Sequence, residues 1–151
     1  MYYLGCRVRD KPVAILDTWF QRNLDKEMNR WLLDKQSYVA DKSKMRYLHG
    51  ELPTRYGKDW KDVDRIYLPF NFKDKHWVAL EIQLSKWCVT VYDPDVNLFK
   101  LSQVHRCLAE LTYILPVMIA QYEPLATIYE HRRGNPLNVT RVPTLERNKR
   151  G

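Results

Sequence analysis

Cysteine is scarce in this chain. Cys6, Cys88 and Cys107 are its three thiols, and they share no spacing. They make neither a disulfide framework nor a zinc-ligand pattern, so a reducing compartment is expected and no metal or other cofactor is. No run of about 18 apolar residues occurs, which excludes a helical membrane span. The opening residues, MYYLGCRVRDK, lack the apolar centre of a signal peptide, so none is expected. No internal repeat and no low-complexity tract is present. What is there suits one domain with a core: 151 residues, 45% hydrophobic and 28% charged.

Charge is unevenly spread. The net charge is +7, and residues 131–151 carry six Lys/Arg against Glu146 alone, leaving +2 on the first 130 residues. A basic tail of this kind can bind nucleic acid or serve as a nuclear address, and it can equally be a solvated end.

The informative stretch is Val63 to Asp93, VDRIYLPFNFKDKHWVALEIQLSKWCVTVYD. His76–Leu84 and Trp87–Asp93 are strand-like runs rich in Val, Ile, Trp and Tyr, split by Ser85-Lys86. Side chains alternate faces along a strand. The apolar residues of the first run are even-numbered (Val78, Leu80, Ile82, Leu84), and those of the second are odd (Trp87, Val89, Val91). A connection of even length pairs even with odd. The apolar stripes then fall on one face, and His76 and Asp93 share its open end. Diagonal neighbours sit about 7–8 Å apart, which brings an imidazole within reach of a carboxylate. That pair is two thirds of a nucleophile triad. The bland alternative is a surface pair or a loop cap.

These runs resemble the ubiquitin-like-protein proteases, the SUMO-deconjugating type of cysteine peptidase, and in particular its divergent plant and transposon-associated members. In that family a strand ending in a Pro-x-Asn step is followed by His-Trp, then by a strand ending in Tyr-Asp. VDRIYLPFN, HWVALEIQL and WCVTVYDPD carry the match. The resemblance implies that His76 is the catalytic base, that Asp93 orients it, and that Trp77 lines the tunnel for the substrate's Gly-Gly tail. It also implies an α+β, papain-like fold, with a central antiparallel or mixed sheet flanked by helices. The partner would be a ubiquitin-like modifier of SUMO type or its conjugates, in the nucleus or cytoplasm.

The departures bear on activity. The family's nucleophile sits in an Asp-Cys-Gly step, with an oxyanion-hole Gln a few residues earlier. No such step occurs in this chain, and no Gln follows Gln121. Val142-Pro143 matches a step found shortly before that Gln and Cys. The expectation is therefore a partial catalytic domain over 1–130, then a basic segment over 131–151 leading toward a nucleophile motif that the chain lacks. By itself it would be catalytically incomplete, with a fold incomplete at the C-terminus and marginally stable. No other thiol substitutes: Cys88 lies on the face opposite His76, Cys107 on the apolar side of a helix, and Cys6 is an incidental thiol near two arginines.

The rest is scaffold. Leu16, Trp19, Phe20, Leu24, Met28, Trp31 and Leu32 predict an amphipathic helix or helix pair, with Asp17 a cap near its start. Ser43–Tyr67 reads as a turn-rich loop with His49 on the surface. Ser102 would cap a long helix running to Tyr122, which Pro116 would kink or end. Two alternatives to an enzyme stay open: a non-catalytic module that binds a ubiquitin-like modifier, and a basic protein of mobile-element origin that associates with nucleic acid through its tail.

Overall fold

The computed structural model describes residues 11–144. A five-stranded mixed sheet has the spatial order β1 to β5 in chain order: Ala14–Ile15, Arg65–Phe72, His76–Gln83, Cys88–Asp93 and Asn138–Pro143. The outer pairings, β1 with β2 and β4 with β5, are parallel, and the inner two are antiparallel. The helical segments are α1 (Trp19–Leu33), α2 (Lys42–Met45), α3 (Leu101–Cys107), α4 (Leu115–Ile119) and α5 (Leu125–Ile128).

Alternation decides which face of the sheet is covered. Ile66, Leu68, Phe70 and Phe72 of β2, Val78, Leu80 and Ile82 of β3, and Val89 and Val91 of β4 are buried. They join Phe20 and Leu24 of α1, and Val104, Leu108 and Leu111, in one core. The residues between them along each strand are at least partly exposed. Among the described residues the helical cover thus lies on one face, and the other face is open.

The β2 edge explains a proline inside a strand. Tyr67 faces β1, since its carbonyl accepts from Leu16 N–H at 2.8 Å. Pro69 and Asn71 share that direction by parity. Among the described residues the rungs to β1 run through Ile66 and Tyr67, so Pro69 lacks a donor where no described strand pairs with it. Two residues on, the Gln21 amide of α1 closes the edge: Asn71 N–H donates to Oε1 and Nε2 donates to the Asn71 carbonyl, both at 2.8 Å.

Two expectations about helices are corrected. Trp19 and Leu32 lie off the buried stripe of α1, at 61% and 53% exposure; Phe20, Leu24 and Glu27 are its fully buried positions. Glu27 is tolerated there because Tyr38 O–H (2.6 Å), Asp41 N–H (3.0 Å) and Arg30 (2.8 Å) all converge on its Oε1. Asp17 does act near the helix start, accepting from Phe20 N–H at 3.2 Å. The long helix expected from Ser102 is broken up. It begins at Leu101, passes through a π-helical turn at Glu110–Ile114 and resumes with Pro116 in the first turn of α4. A wide turn just before proline spares its ring the clash with the preceding turn, and a first-turn position needs no N–H partner. The structure also adds β5, a strand that the sequence reading did not anticipate.

Candidate active site

His76 opens β3 and Asp93 closes β4. The register pairs Ala79 with Tyr92 and Leu80 with Val91, which makes Asp93 the diagonal neighbour of His76. Both side chains point into the covered face, at 7% and 0% exposure. His76 Nε2 lies 2.6 Å from Asp93 Oδ1. A carboxylate only accepts, so Nε2 carries the proton and the Nδ1 lone pair is left available. The Asp95 N–H also donates to Oδ1, at 2.9 Å. The imidazole is fixed from two sides by aromatic rings. Phe99 is stacked on it (5.9 Å between centroids, 15° between planes), and Phe72 is tilted against it at 6.2 Å.

The turn before His76 is tight. Lys73 and Asp74 have φ of 55° and 59°, and Lys75 N–H donates to the Phe72 carbonyl at 3.0 Å. Two left-handed residues in succession match the right-handed twist of a hairpin. They let β2 return as β3 with His76 paired to Phe72.

Trp77 takes the opposite direction, onto the open face, and is 53% exposed. It stands between two grooves. One, of about 690 Å³, is apolar and lined by Ile15, Tyr67, Pro69, Ala79 and Tyr92. Both tyrosine hydroxyls donate to Glu81, at 2.6 and 3.3 Å, which turns their polar ends toward one carboxylate. The bond to Glu81 pushes the Tyr67 phenol above its ordinary range, and burial does the same for Tyr92, so both stay protonated. The other groove, of about 660 Å³, is polar and lined by Trp19, Arg22, Asp25, Lys73, Asp74 and Glu110. Burial first, and then the nearby Asp25 charge, push the Glu110 carboxyl up to about 7.

Neither described thiol is paired with the imidazole. Cys88 faces the open side, 3.8 Å from Thr140 Oγ1, and pairs with Gln83 at the far end of the hairpin. Cys107 ends α3, partly buried, and burial pushes its thiol up, which disfavours the thiolate. Neither is hydrogen-bonded to His76. Cys6 lies outside the described residues, as do Arg147, Lys149 and Arg150 of the basic segment. His49 is exposed, as expected, and packs on Tyr122 at 4.4 Å. No group of three metal-ligating side chains exists among the described residues, and no described helix is long and apolar enough to cross a membrane.

Sequence reasoning missed Phe99 and Arg141. Arg141 Nη1 lies 3.7 Å from Asp93 Oδ2. Both residues are brought in by tertiary structure from beyond the hairpin, and no local motif marks them.

The family model for the Ulp1 protease family, C-terminal catalytic domain, matches residues 9–151. No curated protein sequence matches the chain. Among solved structures, the C-terminal Ulp1 protease domain in complex with Smt3, the yeast ortholog of SUMO, is 16% identical with a TM-score of 0.49, over 89% of this chain and 49% of that one. The SUMO protease Ulp1 with its catalytic cysteine oxidised to a sulfonic acid is 15% identical with a TM-score of 0.44, over 89% and 50%. The sulfinic acid form gives 15% and 0.44, over 88% and 48%. The chain spans about half the length of the solved structures that it matches.

Proposed function

The chain belongs to the Ulp1 protease family and has its α+β fold, and from that premise we propose that it carries the base, the orienting carboxylate and the tail-binding groove of a thiol peptidase acting after the Gly-Gly end of a ubiquitin-like modifier. The observation that carries this reading is the buried His76–Asp93 contact at 2.6 Å, with Trp77 projecting beside it onto an apolar groove.

The chemistry follows from the tautomer. Asp93 holds the proton on Nε2, so Nδ1 is the basic atom and takes the proton of a cysteine thiol brought beside it. The thiolate attacks the carbonyl carbon of the terminal glycine. The imidazolium, stabilised by Asp93, then protonates the leaving amine, and water hydrolyses the thioester with the same imidazole as base. Glycine is the residue type that passes a narrow apolar groove, because it has no Cβ to meet Trp77 or Ile15.

Calorimetric titration tests the reading. A SUMO-type modifier ending in Gly-Gly should bind the chain, and one lacking the two glycines should bind at least tenfold more weakly. Trp77→Ala should erase that difference. Equal binding of both forms to the wild-type chain would refute the proposal. A second reading, a module that binds the modifier without cleaving it, is favoured by the described thiols, neither of which is hydrogen-bonded to His76. A modifier bearing a C-terminal electrophile separates the two: a His76-dependent thioether on this chain supports the enzyme, and binding without an adduct supports the module.

A further inference from the structure

Asp93 is fully buried, and one of its oxygens has no hydrogen-bond donor among the described residues. Oδ1 takes both hydrogen bonds, from His76 and from the Asp95 N–H. Oδ2 is buried and, among the described residues, accepts none. A carboxylate in this position is costly to keep charged unless a cation stands close. Among the described residues the cation at Asp93 is Arg141, whose Nη1 lies 3.7 Å from Oδ2, in ion-pair range but too far for a hydrogen bond. Its side chain is 17% exposed. Arg141 projects from β5 opposite Val91, two residues before Asp93 on the neighbouring strand.

The guanidinium is itself held. Nη1–H donates to the Phe99 carbonyl at 2.6 Å, a charge-assisted bond. The ring of that same Phe99 lies parallel to the His76 imidazole at 5.9 Å. A closed circuit results: imidazole to carboxylate, carboxylate to guanidinium, guanidinium to the Phe99 backbone, and the Phe99 ring back to the imidazole. Each member restrains the next, and β5 enters the site through Arg141 alone among them.

We infer that Arg141 is a positioning residue of this site, holding the Asp93 carboxyl in place as the acceptor and, through Phe99, the imidazole plane that presents Nδ1. The inference rests on the proposed role of His76 and Asp93 as base and orienter. It assigns to β5 a part in the chemistry that its place in a basic segment would not suggest. It also separates Arg141 from Arg132 and Arg133, the other described Lys/Arg residues of that segment, which reach the Ser85 and Ala120 carbonyls.

The ring signals of His76 in 15N-labelled chain test it directly, without a substrate. In the wild type the Nε2–H should be visible and slow to exchange with water. Arg141→Met should speed that exchange at least tenfold and populate the Nδ1–H tautomer. Arg141→Lys, which returns the charge, should recover most of the protection. In an Asp93→Asn background, Arg141→Met should change the ring signals much less, because the carboxylate it acts on is gone and only its hold on Phe99 is left to lose. Wild-type exchange and tautomer in Arg141→Met would overturn the inference, and so would an equally large change in the Asp93→Asn background. If Arg141→Met does not fold, the Arg141→Met/Asp93→Asn pair decides. Recovery of folding by removing both charges supports the coupling, and failure of the pair as well assigns Arg141 a purely structural part. Modifier binding, measured separately, reports on the function proposal: its absence in the wild type would refute that proposal while the ring signals still judge Arg141.

Discussion

The two ends of the β3–β4 hairpin continue one apolar stripe and finish it in opposite ways. They lie roughly 23 Å apart at the usual rise per residue. At the closed end the stripe terminates in Trp87, 2% exposed, with its indole N–H donating to the Asn135 carbonyl at 2.9 Å and its ring 5.7 Å from that of Tyr129. At the open end it terminates in His76 and Asp93, equally buried but titratable. One end spends its burial on packing and the other places a charge where packing would be more stable. The contrast supports the proposed role of the open end: a core that needed only stability gains little from ending a Val-rich strand in a desolvated carboxylate.

The largest expected effect tests the packing end. Trp87→Ala should lose about 3–5 kcal/mol, the range for deleting a large buried aromatic. Set against a total of about 5–15 kcal/mol, that should visibly lower the urea midpoint. A loss under about 1 kcal/mol would mean that the closed end is not the anchor described.

The open end should respond with a different sign pattern. His76→Ala strands a buried carboxylate whose remaining cation among the described residues is Arg141, and should lose about 2–3 kcal/mol. The pair His76→Phe/Asp93→Leu should recover that loss and reach or exceed wild-type stability, since well-packed apolar replacements of buried ion pairs are often neutral or stabilising. Denaturation of the three proteins side by side decides the matter. A double variant less stable than His76→Ala would show that the polar pair supports the fold and is not a concession to chemistry.

Parity made this end legible from sequence alone. The even stripe of β3 and the odd stripe of β4 had to share a face, and His76 and Asp93 followed. What parity cannot show is the tertiary surround. Arg141 is 48 residues past Asp93 in a stretch that holds five other Lys/Arg residues, so in the sequence it looks like any solvated arginine. β5 was missed because no position in it is fully buried, which leaves no apolar stripe to find. Glu27 was missed because a charge in a helical stripe reads as an interruption until its three donors are seen. Pro116 carried a correct signal for a break, but the π-helical turn that absorbs it has no sequence signature of its own.

A third prediction adds pH to the contrast, since the open end has a second poorly solvated carboxyl. Burial holds the Glu110 carboxyl at about 7, against 4.5 for an ordinary glutamate. The folded chain therefore binds this proton more tightly than the unfolded chain does. The associated stability is fully present below about pH 4.5 and is lost as pH rises through about 7. Glu110→Gln should be indistinguishable from wild type near pH 4 and more stable at pH 8. Screening at this partly exposed site trims the gain to about 1–2 kcal/mol. Melting curves across that interval are the measurement, and a gain that does not grow with pH would be the contrary result.

The smallest effect separates strain that burial holds from strain that nothing holds. Both ends use left-handed residues: Lys73 (55°) and Asp74 (59°) before His76, and Trp87 (55°) at the closed end. Side chains other than those of Gly, Asn and Asp are disfavoured there. Lys73 and Asp74 are exposed, so their conformation gains nothing from packing. Lys73→Asn/Asp74→Gly supplies the pair that a type I′ turn prefers and should stabilise the chain by about 0.5–1 kcal/mol. Trp87→Gly makes the same backbone repair at the other end, but removes the buried indole, and should destabilise by several kcal/mol. The turn variant should also leave the Nε2–H signal of His76 in place, because β3 keeps its register with β2. If instead Lys73→Asn/Asp74→Gly loosens that signal while raising the melting temperature, the strained turn is part of what holds the imidazole, and the open end stores its strain for the site.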